Sequence, residues 1–452
     1  MRLYYPKEYR ALTKLGVPIA IGQIGLTLQN LADNIMVGRH STEELAAAGF
    51  INNLFIMALL LSIGFSMGAI SQIGALYSQG NRQRIMSILK SSLCVDVVQS
   101  LLLVGVLVGL YVSLPYLGQP EELIPLMRPY LIIQFCSLPM MGAVNGFRRM
   151  TDSINDTKVA MVIVLIGNIW NVLFNWLLIF GNCGFPELGI IGAGWATFSS
   201  RLVMLLLYLW VFFMSNHYQD YMQYWKSTHV SVSDMKLLNR LGWPIAIQMG
   251  METASFSLCA IMLGWIGTTA LAAHQVMLNI ANIIFMFYIG IGTAASIRVS
   301  NYNGLNDMRG VRHASFAGYE MILASGIIMS ILAIIYSSDV SMIFTDSQEV
   351  AVIVSGLVLP LILYQLGDGM QTLFSNSLRG LGDVKKLMKY SFIAYIIISL
   401  PLSYLFGITL GWGAFGIWMG FPFGLTTAAV LYFRRFLRIT DFNYQKNSSY
   451  EQ

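Results

Sequence analysis

Apolar runs of about twenty residues recur from one end of the chain to the other, separated by short polar stretches. Wound as a helix, such a run matches the roughly 30 Å hydrocarbon core of a bilayer. Twelve are recognisable, at about 14–36, 52–76, 92–115, 130–147, 160–181, 190–214, 243–264, 278–298, 315–336, 351–373, 388–408 and 413–433. They are continuous rather than alternating at every second position, which favours membrane helices over a β-barrel. Composition agrees. Of 452 residues, 56% are hydrophobic and 11% charged, less than half the charge of a typical soluble chain. The mean hydropathy is +0.64. The expected fold class is therefore an all-α polytopic membrane protein with twelve transmembrane helices.

The pattern is also doubled. "LGVPIAI" (15–21) and "LGWPIAI" (241–247) agree at six of seven positions, 226 residues apart. The same offset places Gly38 on Gly264, "LAA" at 45–47 on 271–273, Asn53 on Asn279 and Gly181 on Gly407. Each copy holds six spans. Six is even, so both copies enter from one side and form a parallel repeat, an arrangement found in transporters that work by alternating access. The expected organisation is an N-terminal six-helix lobe (1–214), a polar cytoplasmic linker (215–236) and a C-terminal lobe with a short polar tail (237–452). The linker's Tyr and Trp residues suit a surface helix at the membrane boundary.

Charge placement orients this array. Of 27 Lys and Arg residues, 24 fall in the N-terminus, alternate loops and the C-terminal tail; the opposite loops hold only Arg39 and Arg128, and Arg201 lies in a span. The positive-inside rule then puts both termini in the cytoplasm, and the net charge of +5 requires no nucleic-acid partner. The four cysteines, Cys94, Cys136, Cys183 and Cys259, show neither CxxC nor metal-ligand spacing and read as buried, reduced thiols. The first apolar run is a full span, so no cleavable signal peptide is expected.

Ionisable residues at membrane depth cost about 2.5–3.5 kcal/mol on insertion scales and point to function. The deep ones are Asp33, Glu252 and Asp368; Asp96 and Glu320 lie nearer span ends and read as structural. Gln248, Ser255 and Phe256 share a helical face with Glu252, as Tyr364, Gln365, Gln371 and Ser375 do with Asp368. Gln29 precedes Asp33 by one turn, and Asn168, Asn171 and Asn175 form an amide stripe that serves either as a site or as interhelical packing. At the 226 offset Asp33 maps to Cys259 and Glu252 to Leu26, so the acids are not duplicated with the scaffold. Burial favours the neutral form of a carboxylate, which lets Glu252 or Asp368 take up a proton; alternatively, carboxylate, hydroxyl and carbonyl oxygens together hold Na⁺. The same oxygens attract organic cations. A group that holds the ion or the substrate, but not both, is a physical basis for exchange. Phe256, Met249, Met251 and "FMFY" (285–288, ending at Tyr288) are candidates for an adaptable aromatic pocket.

Several stretches carry a resemblance: "LADNIMVGR" (31–39), "ELAAAGFINNLF" (44–55), "IQMGMETASF" (247–256), "LAAHQVMLNIANIIFMFYIGIGTAASIRV" (271–299) and "YQLGDGMQTLFSNSLRGLGDVK" (364–385). Together they resemble the multidrug and toxic compound extrusion (MATE) family, within it the NorM-like branch. That resemblance implies two six-helix lobes in a V, a monomer in the bacterial plasma (inner) membrane, and export of varied, mainly cationic drugs by Na⁺ or H⁺ antiport without a cofactor. It also implies a C-lobe cation site at Glu252 and Asp368, with Tyr364 one turn before Asp368, and a span-one acid at Asp33. The branch with an N-lobe proton site carries Asp four residues after a span-five Asn; here the pair is Asn171 and Asn175, which favours C-lobe coupling. Gln248, Phe256, Tyr288, Asn171 and Asn175 are the candidate substrate-pocket residues.

Two other readings compete. A lipid or lipid-linked saccharide flippase should line its cavity with several Arg or Lys, and only Arg201 is in a span. An intramembrane enzyme needs clustered acids or an HExxH pattern, which His40, His217, His229, His274 and His313 do not form. His274 reads as structural or gating.

Overall fold

The computed structural model describes residues 5–116, 120–335 and 348–441. Arg2 and Lys446, counted above toward the basic side, lie outside them. The described residues are helical and contain no strand. The spans are α1 (Pro6–His40), α2 (Thr42–Ser78), α3 (Arg82–Tyr116), α4 (Glu121–Ser153), α5 (Thr157–Phe180) and α6 (Ile190–Met214). They continue as α7 (Val232–Ile266), α8 (Thr268–Gly304), α9 (Met308–Ile331), α10 (Gln348–Gly356 and Val358–Gly380), α11 (Val384–Thr409) and α12 (Gly413–Ile439). The count is eleven unbroken spans among the described residues, or twelve with α10 taken as one span bent by 48°. Most helices outrun the apolar windows. An apolar window measures only the hydrocarbon core, whereas helical hydrogen bonding continues through polar flanks such as Arg10 and Lys14 in α1. In the linker a short helix, Asn216–Met222, precedes α7.

The contacts divide the chain into two compact units, one of residues 1–20 and 247–452 and the other of 21–246. The first turns of α1 thus group with the C-terminal spans, and the first turns of α7 with the N-terminal spans. Paired glycines make this packing possible. In one unit a Cβ on Gly16 of α1 would meet the Gly290 carbonyl oxygen of α8 at 3.1 Å, and one on Gly290 would meet the Gly16 oxygen at 2.7 Å. In the other, a Cβ on Gly68 of α2 would meet the Gly242 nitrogen of α7 at 2.9 Å. Gly16 and Gly242 are the second residues of the two repeated motifs. The repeat therefore encodes close backbone crossings that only small residues allow.

Polar ties hold these segments. Arg298 Nε and Nη2 grip the Glu8 carboxylate at 3.1 and 2.9 Å, and the Tyr302 hydroxyl donates to the same group at 2.5 Å. Glu320 accepts from the Tyr9 hydroxyl. Arg312, eight residues before it, donates to Thr440 and to the Leu437 carbonyl. Asp96 is buried and accepts from Ser92 at 2.9 Å. One expectation is corrected: Cys259 is buried and Cys94 half-buried, but Cys136 and Cys183 are exposed, because they lie on the outer side of α4 and just beyond α5 rather than on packed faces.

Asp234, near the start of α7, is buried and takes a two-pronged contact from Arg84 at 2.5 and 2.9 Å, with Ser87 donating at 3.1 Å. Removing one partner leaves the buried carboxylate underpaired, and charged hydrogen bonds contribute about 1.5–3 kcal/mol each. Arg84→Ala is expected to destabilise this unit by about 2 kcal/mol, seen as a lower melting temperature in detergent. An unchanged melting temperature would show that the tie contributes nothing.

Candidate functional site

In the unit containing residues 247–452, α7, α10 and α11 bring carboxylates, amides and phenols together. Gln248 donates through Nε2 to Glu252 Oε2 at 2.9 Å, one helical turn away, and accepts from Arg379 Nη2. Arg379 also reaches Asn376 at 3.4 Å. Glu252 faces Arg379, Tyr395 and Gln371. Asp368, 2% exposed, lies within electrostatic reach of Glu252 and accepts a long bond from Thr372 at 3.4 Å. The Tyr364 and Tyr395 phenols face both carboxylates, and Tyr288 faces Asp368. The Ser255 hydroxyl is buried with no hydrogen-bond partner among the described groups. Tyr395 sits in a π-helical stretch of α11 (Phe392–Ser399) just before Pro401. The wider turn and the missing proline N–H loosen the helix beside the carboxylates.

Aromatic side chains wall this group. Phe256 packs on Phe421 and Tyr364, with ring centroids 4.8 and 6.1 Å apart, and Tyr364 lies 6.1 Å from Trp418. His274 is buried edge-on to Trp418 at 5.6 Å, and neither ring nitrogen has a hydrogen-bond partner among the described residues.

The unit of residues 21–246 holds a second polar group. Asn175 donates through Nδ2 to Asp33 and, at 3.1 Å, to Asn171 Oδ1. Asn171 in turn donates to Thr197 at 3.3 Å. Asp33, Gln29, Asn52, Asn53, Tyr130 and Arg201 are among the residues lining a cavity of about 400 Å³. Asn171 and Asn175 are fully buried behind Asp33. Asn168, the third member of the stripe, makes no side-chain hydrogen bond among the described residues; its amide lies against Gly25, where a Cβ would meet it at 2.7 Å.

The acids singled out in the sequence thus fall into two sets: Glu252, Asp368 and Tyr364 with Gln248, Phe256 and Tyr288 in one unit, and Asp33 with Asn171 and Asn175 in the other. Three further residues around the first set, Arg379, Tyr395 and Tyr432, were not singled out as candidates. Arg379 was counted as a loop residue, yet it is buried in the last turn of α10, eleven residues or three turns after Asp368 and on the same face. Continuing the stripe of Asp368, Gln371 and Ser375 would have found it. Tyr395 and Tyr432 are brought in by α11 and α12, and no local pattern marks them. Among the described residues no group of three or more His, Cys, Asp or Glu is suited to a metal ion. A bound Na⁺ would therefore need hydroxyl or carbonyl oxygens beside the two carboxylates.

A doubled six-helix scaffold with carboxylates inside both compact units is the build of a polytopic membrane transport protein. The family model described as MatE matches residues 18–177 and 244–405, two segments that begin 226 residues apart, the register of the internal repeat. The chain belongs to the MatE family. It is 30% identical over 433 residues to the multidrug resistance protein NorM of Vibrio cholerae, covering 94% of each chain. It is 29% identical over 441 residues to the multidrug resistance protein MdtK of Yersinia pseudotuberculosis, again with 94% coverage of each. Its fold is shared with a multidrug resistance MATE transporter of the MOP superfamily solved in an outward-facing conformation: TM-score 0.84, 20% identity, 96% of each chain.

Proposed function

We propose that the protein is a multidrug antiporter of the bacterial inner membrane, working as a monomer with both termini cytoplasmic and exporting mainly cationic organic compounds in exchange for Na⁺ or H⁺. The names of its NorM and MdtK relatives support multidrug export, and the one-sided distribution of Lys and Arg supports the orientation. The observation that supports the coupling is that Glu252 and Asp368 lie within electrostatic reach of each other, walled by the same aromatic side chains. Arg379, bonded to Gln248 beside Glu252, offsets one of the two negative charges but not both. Two carboxylates within electrostatic reach of each other, with a single guanidinium beside them, do not both stay charged without a further cation. A proton, Na⁺ or a cationic substrate each relieves the repulsion, and they compete to do so. Exchange follows if the conformation facing the cytoplasm releases the ion and accepts the substrate, since a ligand shifts a conformational equilibrium only by its differential affinity for the two states.

The test is transport by purified protein in liposomes, with a Na⁺ gradient and a pH gradient imposed separately. Movement of a fluorescent organic cation against its own gradient under one of the two supports antiport and identifies the ion. Movement under neither removes the antiport reading.

A further inference from the structure

In the unit containing residues 247–452, the two facing carboxylates are not equally served. Arg379, buried in the last turn of α10, donates through Nη2 to the Gln248 side-chain oxygen, and Gln248 donates through Nε2 to Glu252 Oε2 at 2.9 Å. The two bonds fix the amide, oxygen toward the guanidinium and nitrogen toward the carboxylate. Asn376, one turn before Arg379, accepts from Nη1 at 3.4 Å, and Tyr432 and Tyr395 face the guanidinium from α12 and α11. Side chains from α7, α10, α11 and α12 thus hold Arg379 beside Glu252. Asp368, three turns earlier on α10, has other surroundings: Glu252, Thr372 at 3.4 Å, and the phenols of Tyr364, Tyr288 and Tyr395. A guanidinium stays charged. The group as built therefore holds two acids and one fixed positive charge, the latter at the Glu252 end. Burying a charge costs more than burying an amide, and a neutral donor at position 379 could hold Gln248 as well. What the position gains from arginine is the charge.

From this asymmetry we propose that Arg379 is a built-in counter-cation that sets the charge class of the compounds the Glu252–Asp368 group takes, favouring organic monocations over dications. The inference rests on the antiport reading and deepens it. With the guanidinium in place, one cationic centre balances the group, and a second centre on the same molecule meets no further acid in it. Without the guanidinium, Glu252 and Asp368 together would suit a dication. Arg379 acts through its field and through Gln248, so it determines specificity without touching the transported compound.

Two phenanthridinium dyes test this, one a monocation and the other carrying a second quaternary ammonium on its alkyl arm. Equilibrium binding of each to the purified full-length protein is followed by fluorescence anisotropy in Na⁺-free alkaline buffer. The ratio of dication to monocation affinity is expected to rise about tenfold in Arg379→Gln, the effect of removing a unit charge about 10 Å away at an effective dielectric constant of about 20. Arg379→Lys, which keeps the charge without the fork, should leave the ratio near that of wild type. Glu252→Gln should lower the ratio, and adding Arg379→Gln to it should raise it again about tenfold, back to the wild-type value. This second background makes the test independent of whether Arg379→Gln folds alone with Glu252 underpaired. A ratio that Arg379→Gln leaves unchanged in either background overturns the proposal, because a purely structural arginine affects both dyes alike. A shift in Arg379→Lys as large as in Arg379→Gln overturns it too. The Glu252→Gln, Asp368→Asn double variant separates the two claims. If it binds both dyes as wild type does, organic cations do not use the carboxylates, and the antiport reading falls together with the proposal. If it loses both dyes while Arg379→Gln leaves the ratio unchanged, that reading stands and the proposal alone falls.

Discussion

Glu252→Gln and Asp368→Asn are each expected to reduce ion-driven export to the level of empty liposomes while leaving expression and membrane insertion intact. Each substitution keeps an acceptor oxygen where the structure needs one: Gln248 still donates to position 252 and Thr372 to position 368. What disappears is one negative charge of a facing pair. The neutral variants no longer need a cation, so ion binding loses its power to shift the conformational equilibrium. The measurement is uptake of a fluorescent cation under an imposed gradient, with monodispersity on size exclusion as the folding control. Normal export by both variants would show that coupling resides elsewhere.

The second large effect concerns assembly. Gly290→Val places a Cβ 2.7 Å from the Gly16 carbonyl oxygen and 2.9 Å from the Ala20 Cβ. The nearest obstacle is backbone, which cannot rotate away, and α1 is further tied to α8 through the Glu8–Arg298 contact. Overpacking costs about 1–3 kcal/mol in a well-packed core, occasionally more, and this crossing should fall at the upper end. Little monodisperse protein and a melting temperature lowered by many degrees are expected. Gly49→Ala, where nothing lies within 4 Å of the added carbon, is the matched control and should be close to neutral. Equal behaviour of the two variants would mean that α1 and α8 do not depend on this approach.

Much of the architecture was legible because a bilayer simplifies the code. Apolar runs of spanning length leave helix as the economical solution, and the "LGxPIAI" motifs set the register of the repeat. What the motifs were for was not legible. That Gly16 and Gly242 mark backbone crossings, and that the first turns of α1 and α7 pack with the other six spans, depends on partners about 270 and 170 residues distant in the chain. The acids were found because each is expensive at membrane depth. Arg379 was passed over because a basic residue at a span end looks like a loop anchor, and only helical phase separates the two roles. The amide stripe was half legible. Asn171 and Asn175 join a hydrogen-bonded chain to Asp33, whereas Asn168 makes no side-chain hydrogen bond among the described residues because the tertiary packing of α1 at Gly25 faces it.

The central claim is that inorganic and organic cations compete for the Glu252–Asp368 pair. It is tested most directly by measuring equilibrium binding of a fluorescent organic cation to the purified protein in detergent, first in Na⁺-free alkaline buffer and then with added Na⁺ or at falling pH. Wild type should release the dye as one of the two ions is raised, and the Glu252→Gln, Asp368→Asn double variant should show no such release. Dye release by the same ion at the same concentration in the double variant, or dye and ion held together by wild type, would contradict the account.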